Sequence, residues 1–491
     1  MSHPPLQKIL ICGGGLASYM CAVALSRVMP PNIGITLIET PHADKTDVFF
    51  GTVTSPTSYN FLLNNGITEP ELFPATNTAF SLGTRYVNWG KKNLSWTQSF
   101  HLPLPLFNGV ELHHYLNRQH SPSATPYSLE AYIMSVQAAN EGGFAHPPEE
   151  RKTPLADMEY GYQFLPQQWS RVFADNIASS PVSCIDGSIK TIGREGENIQ
   201  SVTLNDGRVI EADFIIDCLG ADSALPSTSN TRTSERRLRA VTSFNVTERL
   251  GEPLRNLTAK DYGWQADTPL QDGQHRITVY DPANETDALK DHGTPDSEPI
   301  EALIGKTSSP WTGNCLKLGH GAAILEPLTP APILLLQRDI DRLIELIPVS
   351  TDMAVERREY NRRFTADYEH AELFQDTLLK TIETPNEPYW ASAETDPISE
   401  KLANKITQFE SRGIGVQYDF EPFEKHDWIM LHFGMGRRPV RYDPLADRIA
   451  VPQMEQTLDR MRNSIAMMAR KVPPHNHYMT RLLNYLKDQD G

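Results

Sequence analysis

The sequence is poor in cysteine, has no long hydrophobic run and carries no excess of positive charge. Its five cysteines are scattered, odd in number and set among apolar residues, so we expect buried free thiols and no disulfide or zinc site. No segment approaches the roughly 18 apolar residues of a membrane span, and the first residues lack the apolar core of a secretory signal. These absences predict a cytoplasmic protein with no membrane partner.

The charge balance excludes a second class of partner. A formal net charge of −16 disfavours nucleic acid, because binding phosphates requires clustered Lys and Arg. Charged residues at 22% and hydrophobic residues at 39% are ordinary for a globular protein. A chain of 491 residues predicts two or three domains at roughly 100–200 residues each.

The N-terminal segment has the pattern of a β-α-β unit. Apolar strands are predicted over 8–12 and 35–39, with a helix over 18–28 between them. Gly13 permits the tight turn after the first strand, and Gly15 lets the backbone approach a pyrophosphate at the helix N-terminus. This pattern predicts a dinucleotide site, with a purely structural turn as the alternative.

The remaining residues of this motif have expected roles. Leu16 and Ala17 continue the phosphate-binding turn, and Ser18 is small enough for close packing of the helix on the strand. Glu39 ends the second strand, where its carboxylate can accept hydrogen bonds from a ribose and would repel a 2′-phosphate. The motif alone does not separate FAD from NAD.

The later chain alternates strand and helix patterns. Buried strands are predicted over 214–219 and 315–318, and segments 240–246 and 276–280 alternate as in an antiparallel sheet. From 351 onward the pattern is mostly helical and ends in an amphipathic stretch over 454–471. Polar segments 141–153 and 284–298 are predicted as surface loops.

Two distant segments favour FAD over NAD. Segments 217–222 (DCLGAD) and 318–328 (LGHGAAILEPL) resemble later flavin-contact segments of FAD-dependent monooxygenases. The residues expected to contact FAD there and at the 51–56 segment are Gly51, Asp217, Gly220, Gly319, Glu326 and Pro327.

The whole chain resembles one branch of that superfamily, the flavin-dependent tryptophan halogenases. The matching segments are 13–18 (GGGLAS), 37–40 (LIET), 51–56 (GTVTSP), 78–89 (TAFSLGTRYVNW), 262–269 (YGWQADTP), 325–333 (LEPLTPAPI) and 409–439. The resemblance implies an α/β fold with a Rossmann-like FAD module of the parahydroxybenzoate-hydroxylase type. It also implies a substrate module made of an antiparallel sheet and helices.

The resemblance implies a specific division of the chain. We expect the FAD module in 1–90, 155–235 and 312–350, and the substrate module in 91–154, 236–311 and 351–491. In the family a separate flavin reductase supplies reduced FAD, and dioxygen and halide then give hypohalous acid. The acid reaches a lysine beside the aromatic substrate, where a glutamate assists.

The two catalytic side chains of the family are substituted here. Ser81 stands at the lysine position and Thr329 at the glutamate position. The family holds halide on two backbone N–H groups, matched by Ala331 and Pro332, and proline has no N–H to donate. These substitutions favour a reaction without halogenation.

A family signature that contains two tryptophans is also eroded. Trp264 and Pro269 remain, but Ala266 and Thr268 replace the second tryptophan and the isoleucine. We expect Trp264 to contribute to substrate binding, and the losses make hydroxylation more plausible than in the family.

Three functions stay open from the sequence. The first is an FAD-dependent oxidoreductase, using FADH2 and dioxygen or oxidised flavin, that acts on an aromatic or carrier-bound substrate without halogenation. The second is a halogenase with a relocated catalytic base, and the third is a non-catalytic flavin-binding protein. A separate flavin reductase is the expected source of electrons, and a dimer is one open oligomeric state.

Several other polar residues carry weaker expectations. Lys91 and Lys92 follow Ser81 but have the pattern of a solvated loop. His101, His113 and His114 could line an aromatic pocket, although none has convincing metal-ligand spacing.

Overall fold

A computed structural model describes residues 4–41, 45–90, 93–100, 106–119, 128–148, 153–225, 236–380, 388–394 and 397–489. Lys91, Lys92 and His101 lie outside these ranges, as does part of the predicted loop 141–153.

The strands lie between residues 8 and 324, and many of them follow one another without an intervening helix. In chain order they are β1 (Lys8–Gly13), β2 (Gly34–Glu39), β3 (Ala79–Ser81), β4 (Gly83–Val87), β5 (Ser95–Ser99), β6 (Leu106–Phe107), β7 (Val110–Glu111), β8 (Gly161–Gln163), β9 (Ser183–Asp186), β10 (Ile189–Glu195), β11 (Asn198–Leu204), β12 (Val209–Glu211), β13 (Phe214–Asp217), β14 (Arg237–Val246), β15 (Arg255–Lys260), β16 (Gly263–Leu270), β17 (Gly273–Tyr280), β18 (Ile300–Leu303), β19 (Gly305–Lys306), β20 (Trp311–Thr312), β21 (Cys315–Lys317) and β22 (Ala323–Ile324).

The α-helices are concentrated in the C-terminal third. They are α1 (Leu16–Val28), α2 (Thr57–Asn64), α3 (Glu69–Ala75), α4 (Leu112–Gln119), α5 (Met134–Asn140), α6 (Pro166–Ala178), α7 (Glu285–His292), α8 (Ala331–Glu345), α9 (Ala354–Lys380), α10 (Pro388–Glu394), α11 (Glu400–Arg412), α12 (Lys425–Gly434), α13 (Val451–Ala469) and α14 (His475–Gln489). Short 3-10 helices cover Lys45–Phe50, Leu129–Tyr132, Pro154–Asp157, Pro282–Asn284, Gly319–Gly321 and Pro444–Arg448.

A six-stranded, mostly parallel sheet carries the predicted β-α-β unit. Its strand order is β20-β21-β13-β1-β2-β9, and β1 pairs in parallel with both β13 and β2. Ile9 and Ile11 belong to the main core with the buried side of α1, whereas Leu10 and Cys12 pack against the three-stranded sheet of β10, β11 and β12. Both faces are covered, which explains why these strands are apolar at nearly every position.

A seven-stranded sheet forms the second layer, in the order β18-β14-β17-β16-β15-β4-β5. The two alternating segments predicted from the sequence lie in β14 and β17, which pair antiparallel with each other. The mixed fold of a Rossmann-like sheet and an antiparallel sheet is therefore confirmed. Strand β4, from the predicted FAD-binding segment 1–90, joins this second sheet by pairing in parallel with β15.

Two local expectations were wrong. Segment 284–298 contains helix α7, because acidic residues in its first turn and Lys290 and His292 in its last turn complement the helix dipole, and Gly293 ends it with φ +92°. Cys184 is exposed because β9 is an edge strand, whereas the other four cysteines are buried. All five cysteines are free thiols, as expected.

The C-terminal part is helical, and the predicted amphipathic stretch forms α13. Its buried residues Met454 and Leu458 pack in a second apolar cluster with residues of α4 and α12. Among the described residues, no helix combines the length and apolar composition that crossing a bilayer requires.

Candidate functional site

The predicted dinucleotide motif lies at the carboxyl edge of the parallel sheet. Gly13 ends β1 in register with Glu39 at the end of β2, and Gly15 is the N-cap of α1. Glu39 accepts a hydrogen bond of 2.8 Å from the hydroxyl of Tyr19, which lies one turn into α1. The strand, turn, helix and acidic residue expected from the sequence are thus brought together.

The first amides of α1 have partners within the protein. The Leu16 N–H donates to Asp47 Oδ2 at 2.8 Å, and the Gly15 N–H donates to Ser18 Oγ at 3.2 Å. A pyrophosphate bound here would therefore use the amides of Ala17 and Ser18 in the same turn. Asp47 was missed by sequence reasoning because it lies in a separate 3-10 helix and is brought to the turn by the fold.

The later segments that are predicted to contact FAD pack closely against this motif at Gly319 and against each other at Gly51 and Pro327. Gly319 has φ +60°, and a Cβ built on it would lie 2.7 Å from Ala17 Cβ. Gly51 has φ +83°, and its Cβ would lie 2.9 Å from Pro327 Cβ. Both positions therefore favour glycine for its backbone conformation and for the close approach.

A groove of about 560 Å³ opens beyond the end of β13. Gly220 lines it together with three cationic side chains, Lys45, Lys317 and Arg237, and with Asp222 and Glu301. Glu301 pairs with Arg237 at 3.2 Å. The lysines therefore provide charge for a phosphate group.

Asp217 closes β13 and is fully buried, and burial raises the pKa of its carboxyl group. Its Oδ1 accepts a hydrogen bond from the Leu219 N–H at 3.1 Å, which shapes the turn that leads into the groove.

Glu326 and Trp264 form a buried polar cluster. The Glu326 carboxylate is ion-paired with Arg236 and accepts hydrogen bonds from Trp264 Nε1 at 2.8 Å and from the Tyr389 hydroxyl at 2.6 Å. Trp264 is fully buried and does not line the large pocket described below. The cluster joins the 326–328 segment to β16 and α10.

We expect Glu326→Gln to lower the free energy of unfolding by about 3 kcal/mol, because it removes the carboxylate partner of a buried arginine. Urea unfolding followed by circular dichroism measures this change. Glu301→Gln is the matched control, because its ion pairs with Arg237 and Arg239 are solvent-exposed and together should change the free energy by about 1 kcal/mol or less. Equal midpoints for the two variants would contradict the prediction.

The two positions expected to match the family's catalytic lysine and glutamate have different surroundings. Ser81 is buried in β3, where its Oγ lies 3.3 Å from both the N–H and the carbonyl oxygen of Gly83, and it does not line the pocket. Thr329 lines the pocket, and its Oγ1 accepts a hydrogen bond from the Ala331 N–H at 3.2 Å. Pro332 follows and has no N–H, so neither of the two positions expected to bind halide offers a free amide.

Arg255 forms hydrogen bonds with the segment that precedes Thr329. Its guanidinium donates to the carbonyl oxygens of Pro327 at 2.7 Å and Leu328 at 2.6 Å, and the Tyr86 hydroxyl also donates to Leu328 at 2.8 Å. Burial lowers the pKa of Arg255 to about 10. The loop that carries Thr329 is therefore fixed on the pocket wall.

A pocket of about 650 Å³ adjoins Thr329 and has an aromatic wall and an acidic wall. The aromatic residues are Phe61, Tyr86, Phe100, Phe374 and Phe423. The carboxylates are Glu159, Asp341, Glu421, Glu424 and Asp427, against Arg338 and His426 as the basic side chains. Arg338 is itself engaged by Asp367 at 3.1 Å.

Glu421 is the pocket carboxylate with the most constrained surroundings. Its Oε1 lies 2.7 Å from Lys405 Nζ, both side chains are only 1% exposed, and its Oε2 accepts a hydrogen bond from Trp428 Nε1 at 3.2 Å. The ammonium group of Lys405 also lies 4.2 Å from the Trp428 ring centre and 4.5 Å from that of Tyr418. Burial raises the pKa of Glu421 and lowers that of Lys405.

Comparisons with known proteins agree over almost the full length. The tryptophan halogenase family model matches residues 8–451. Tryptophan 7-halogenase RebH of Lentzea aerocolonigenes is 20% identical, with 99% of each chain covered.

Two solved structures have the same fold. BrvH, a flavin-dependent halogenase from Brevundimonas sp. BAL3, superposes with a TM-score of 0.88 at 24% identity over 97% of this chain and 99% of its own. Xcc4156, a flavin-dependent halogenase from Xanthomonas campestris, gives a TM-score of 0.88 at 24% identity over 97% of this chain and 98% of its own.

These comparisons bear on the functions left open by the sequence. A halogenase-like reaction fits them better than the non-halogenating oxidation that Ser81 and Thr329 led us to expect. The family match implies use of FAD and its reduced form. The chain belongs to the tryptophan halogenase family of flavin-dependent oxidoreductases.

Proposed function

We propose that the protein is a flavin-dependent halogenase whose catalytic base has moved from the Thr329 position to Glu421. The observation that carries this proposal is that both residues line one 650 Å³ pocket. The family position and the replacement base therefore lie on the wall of one pocket.

Glu421 has the properties that a base in this pocket needs. Its raised pKa brings the carboxylate closer to neutral pH, where a general base is most effective. Lys405 and Trp428 fix the two carboxylate oxygens, so Lys405 acts as a positioning residue. When hypohalous acid reaches the ring, the new carbon–halogen bond replaces a carbon–hydrogen bond as the halogen–oxygen bond breaks. Glu421 takes the ring proton and returns it to the departing hydroxide, which leaves as water.

The pocket also suggests the substrate class. Its aromatic wall fits a planar ring, and its five carboxylates outnumber the two basic side chains. We therefore propose an aromatic substrate with a cationic group, such as an arylalkylamine, rather than one that presents a free carboxylate.

The cofactor arrangement follows the family. We propose that FAD binds at Gly13–Ser18, Glu39 and the groove beyond β13, and that a separate flavin reductase delivers it in the reduced form. Reduced FAD held by these residues would activate dioxygen, which supplies the oxidising equivalents. We propose that the chain is divided into an FAD module and a substrate module at the boundaries given above.

A second candidate is oxygenation without halogenation. The Ala331 N–H is bonded to Thr329, and Pro332 has no N–H, so the backbone does not offer the family's halide cradle at this point. Under this candidate the oxidant is transferred as oxygen, and no halide is required.

The test supplies reduced FAD from a flavin reductase, dioxygen and bromide or chloride to a panel of arylalkylamines, indoles and phenols. Mass spectrometry is expected to show replacement of one ring hydrogen by halogen, with one regioisomer. Catalase removes free hydrogen peroxide. A control with free flavin and no enzyme identifies products that peroxide forms in solution. A product that gains oxygen regardless of halide would support the second candidate, and FAD binding without any turnover would support a non-catalytic role.

A further inference from the structure

Two histidines and a glutamate come together away from the pocket-lining residues. Glu111 ends β7, His113 and His114 begin α4, and each offers a ligand atom within 4.8 Å of the other two. Both histidines are buried, and the Glu111 side chain is 25% exposed. None of the three lines the aromatic pocket.

The hydrogen bonds of His113 leave one ring nitrogen free for a ligand. Its Nε2 lies 2.8 Å from the carbonyl oxygen of Gly413, so this nitrogen carries the proton and donates. Its Nδ1 is fully buried without a hydrogen-bond partner and lies 3.8 Å from Glu111 Oε2.

This arrangement places a nitrogen lone pair 3.8 Å from a carboxylate oxygen. Two acceptors that face each other in a buried site are unfavourable unless a cation lies between them. A histidine that donates one N–H to a backbone carbonyl and turns its other nitrogen inward also has the usual orientation of a metal ligand.

The three ligand atoms lie within 4.8 Å of one another, and one pair is close to the separation in a metal site. Metal–ligand bonds of about 2.0–2.1 Å in a tetrahedral site separate the ligand atoms by about 3.3 Å. The 3.8 Å between His113 Nδ1 and Glu111 Oε2 therefore needs a closure of only about half an ångström. Side-chain rotation of the partly exposed Glu111 can provide it.

Charged groups near the three residues affect the affinity of the site for a cation. Lys425 Nζ lies 2.6 Å from Glu111 Oε1, and Arg412 also faces His114, so both disfavour a cation. Asp443 favours one, and its N–H lies 3.3 Å from His114 Nδ1. Metal binding through that nitrogen would break this long hydrogen bond, whereas binding through Nε2 would require Nδ1 to carry the proton.

We propose that Glu111, His113 and His114 bind one divalent transition metal ion of the zinc class, with water in the fourth position. Two imidazoles and a carboxylate match the ligand preference of Zn²⁺. The ion would join the start of α4 to the C-terminal end of α11 through the His113–Gly413 hydrogen bond. The site is independent of the proposed halogenase reaction.

The experiment titrates the full-length protein with Co²⁺ after treatment with a chelator, because tetrahedral Co²⁺ has a strong visible spectrum. One equivalent is expected to bind with that spectrum, to raise the melting temperature and to be displaced by Zn²⁺. Absence of saturable binding at one equivalent, or a purely octahedral spectrum, would overturn the proposal.

Three variants locate the ion. Glu111→Gln should weaken Co²⁺ binding at least tenfold, while Lys425→Gln should strengthen it by freeing the second carboxylate oxygen of Glu111. His477→Gln removes an exposed histidine on α14 and should leave binding unchanged. If Glu111→Gln and Lys425→Gln bind Co²⁺ like the unmodified protein, the ion lies elsewhere and the assignment is wrong.

Discussion

Replacing Glu421 with glutamine is expected to lower kcat by about 10²–10⁴-fold, the usual loss when one positioned acid–base group is removed. Glutamine keeps the shape of the side chain and can still accept from Trp428 Nε1, but it cannot take the ring proton. The rate is measured with reduced FAD supplied in excess and with the best substrate of the amine and indole panel.

Two further variants separate catalysis from folding. Glu421→Gln leaves the buried Lys405 ammonium without its counter-charge, which destabilises the fold, whereas the double variant Lys405→Gln/Glu421→Gln removes both charges. Glu455→Gln on the exposed side of α13 is the control for a general loss of negative charge. A folded double variant with unchanged kcat would show that Glu421 is not the base.

Gly15→Val is expected to weaken FAD binding by at least about 100-fold, or roughly 2.7 kcal/mol. Gly15 has φ −127° and ψ −171°, which valine adopts without strain, so the variant should fold. The added side chain would occupy the space through which the pyrophosphate approaches the start of α1. Flavin fluorescence titration of the purified proteins gives the dissociation constants.

Gly34→Val is the matched control in the same β-α-β unit. A Cβ at Gly34 would meet only the Gln7 carbonyl oxygen at 3.8 Å, and the residue is exposed at the start of β2. It should bind FAD like the unmodified protein. Equal affinities for the two valine variants would place the flavin away from the 13–18 turn.

The parts of the fold that follow from local pattern were predictable. The apolar runs of β1 and β2, the alternation in β14 and β17 and the amphipathic face of α13 are each set by nearby residues. The charged residues and the proline of segment 284–298 are typical of a surface loop, so this pattern does not predict helix α7. The acidic first turn and the terminal Gly293 were the signals that could have identified it.

The candidate site was less accessible to sequence reasoning. The family motif identifies the positions of Ser81 and Thr329 but not their environments. Ser81 is buried in β3, whereas Thr329 lines the pocket. Lys405 in α11 and Glu421 before α12 form an ion pair, and the Lys405 ammonium also lies over the ring of Trp428. No periodicity or spacing encodes such a contact, and the same holds for Asp47 at the start of α1.

The strand order of the parallel sheet has a consequence for the timing of biosynthesis. The amide of Lys8, at the start of β1, bonds to the side chain of Asp213 across 205 positions of the chain, and β13 separates β1 from β21. A ribosome adds about 5–20 residues per second, so the first strand waits roughly 10–40 s for this partner. Until then one edge of an apolar strand is uncovered, and it is in this interval that a chaperone would bind the nascent chain.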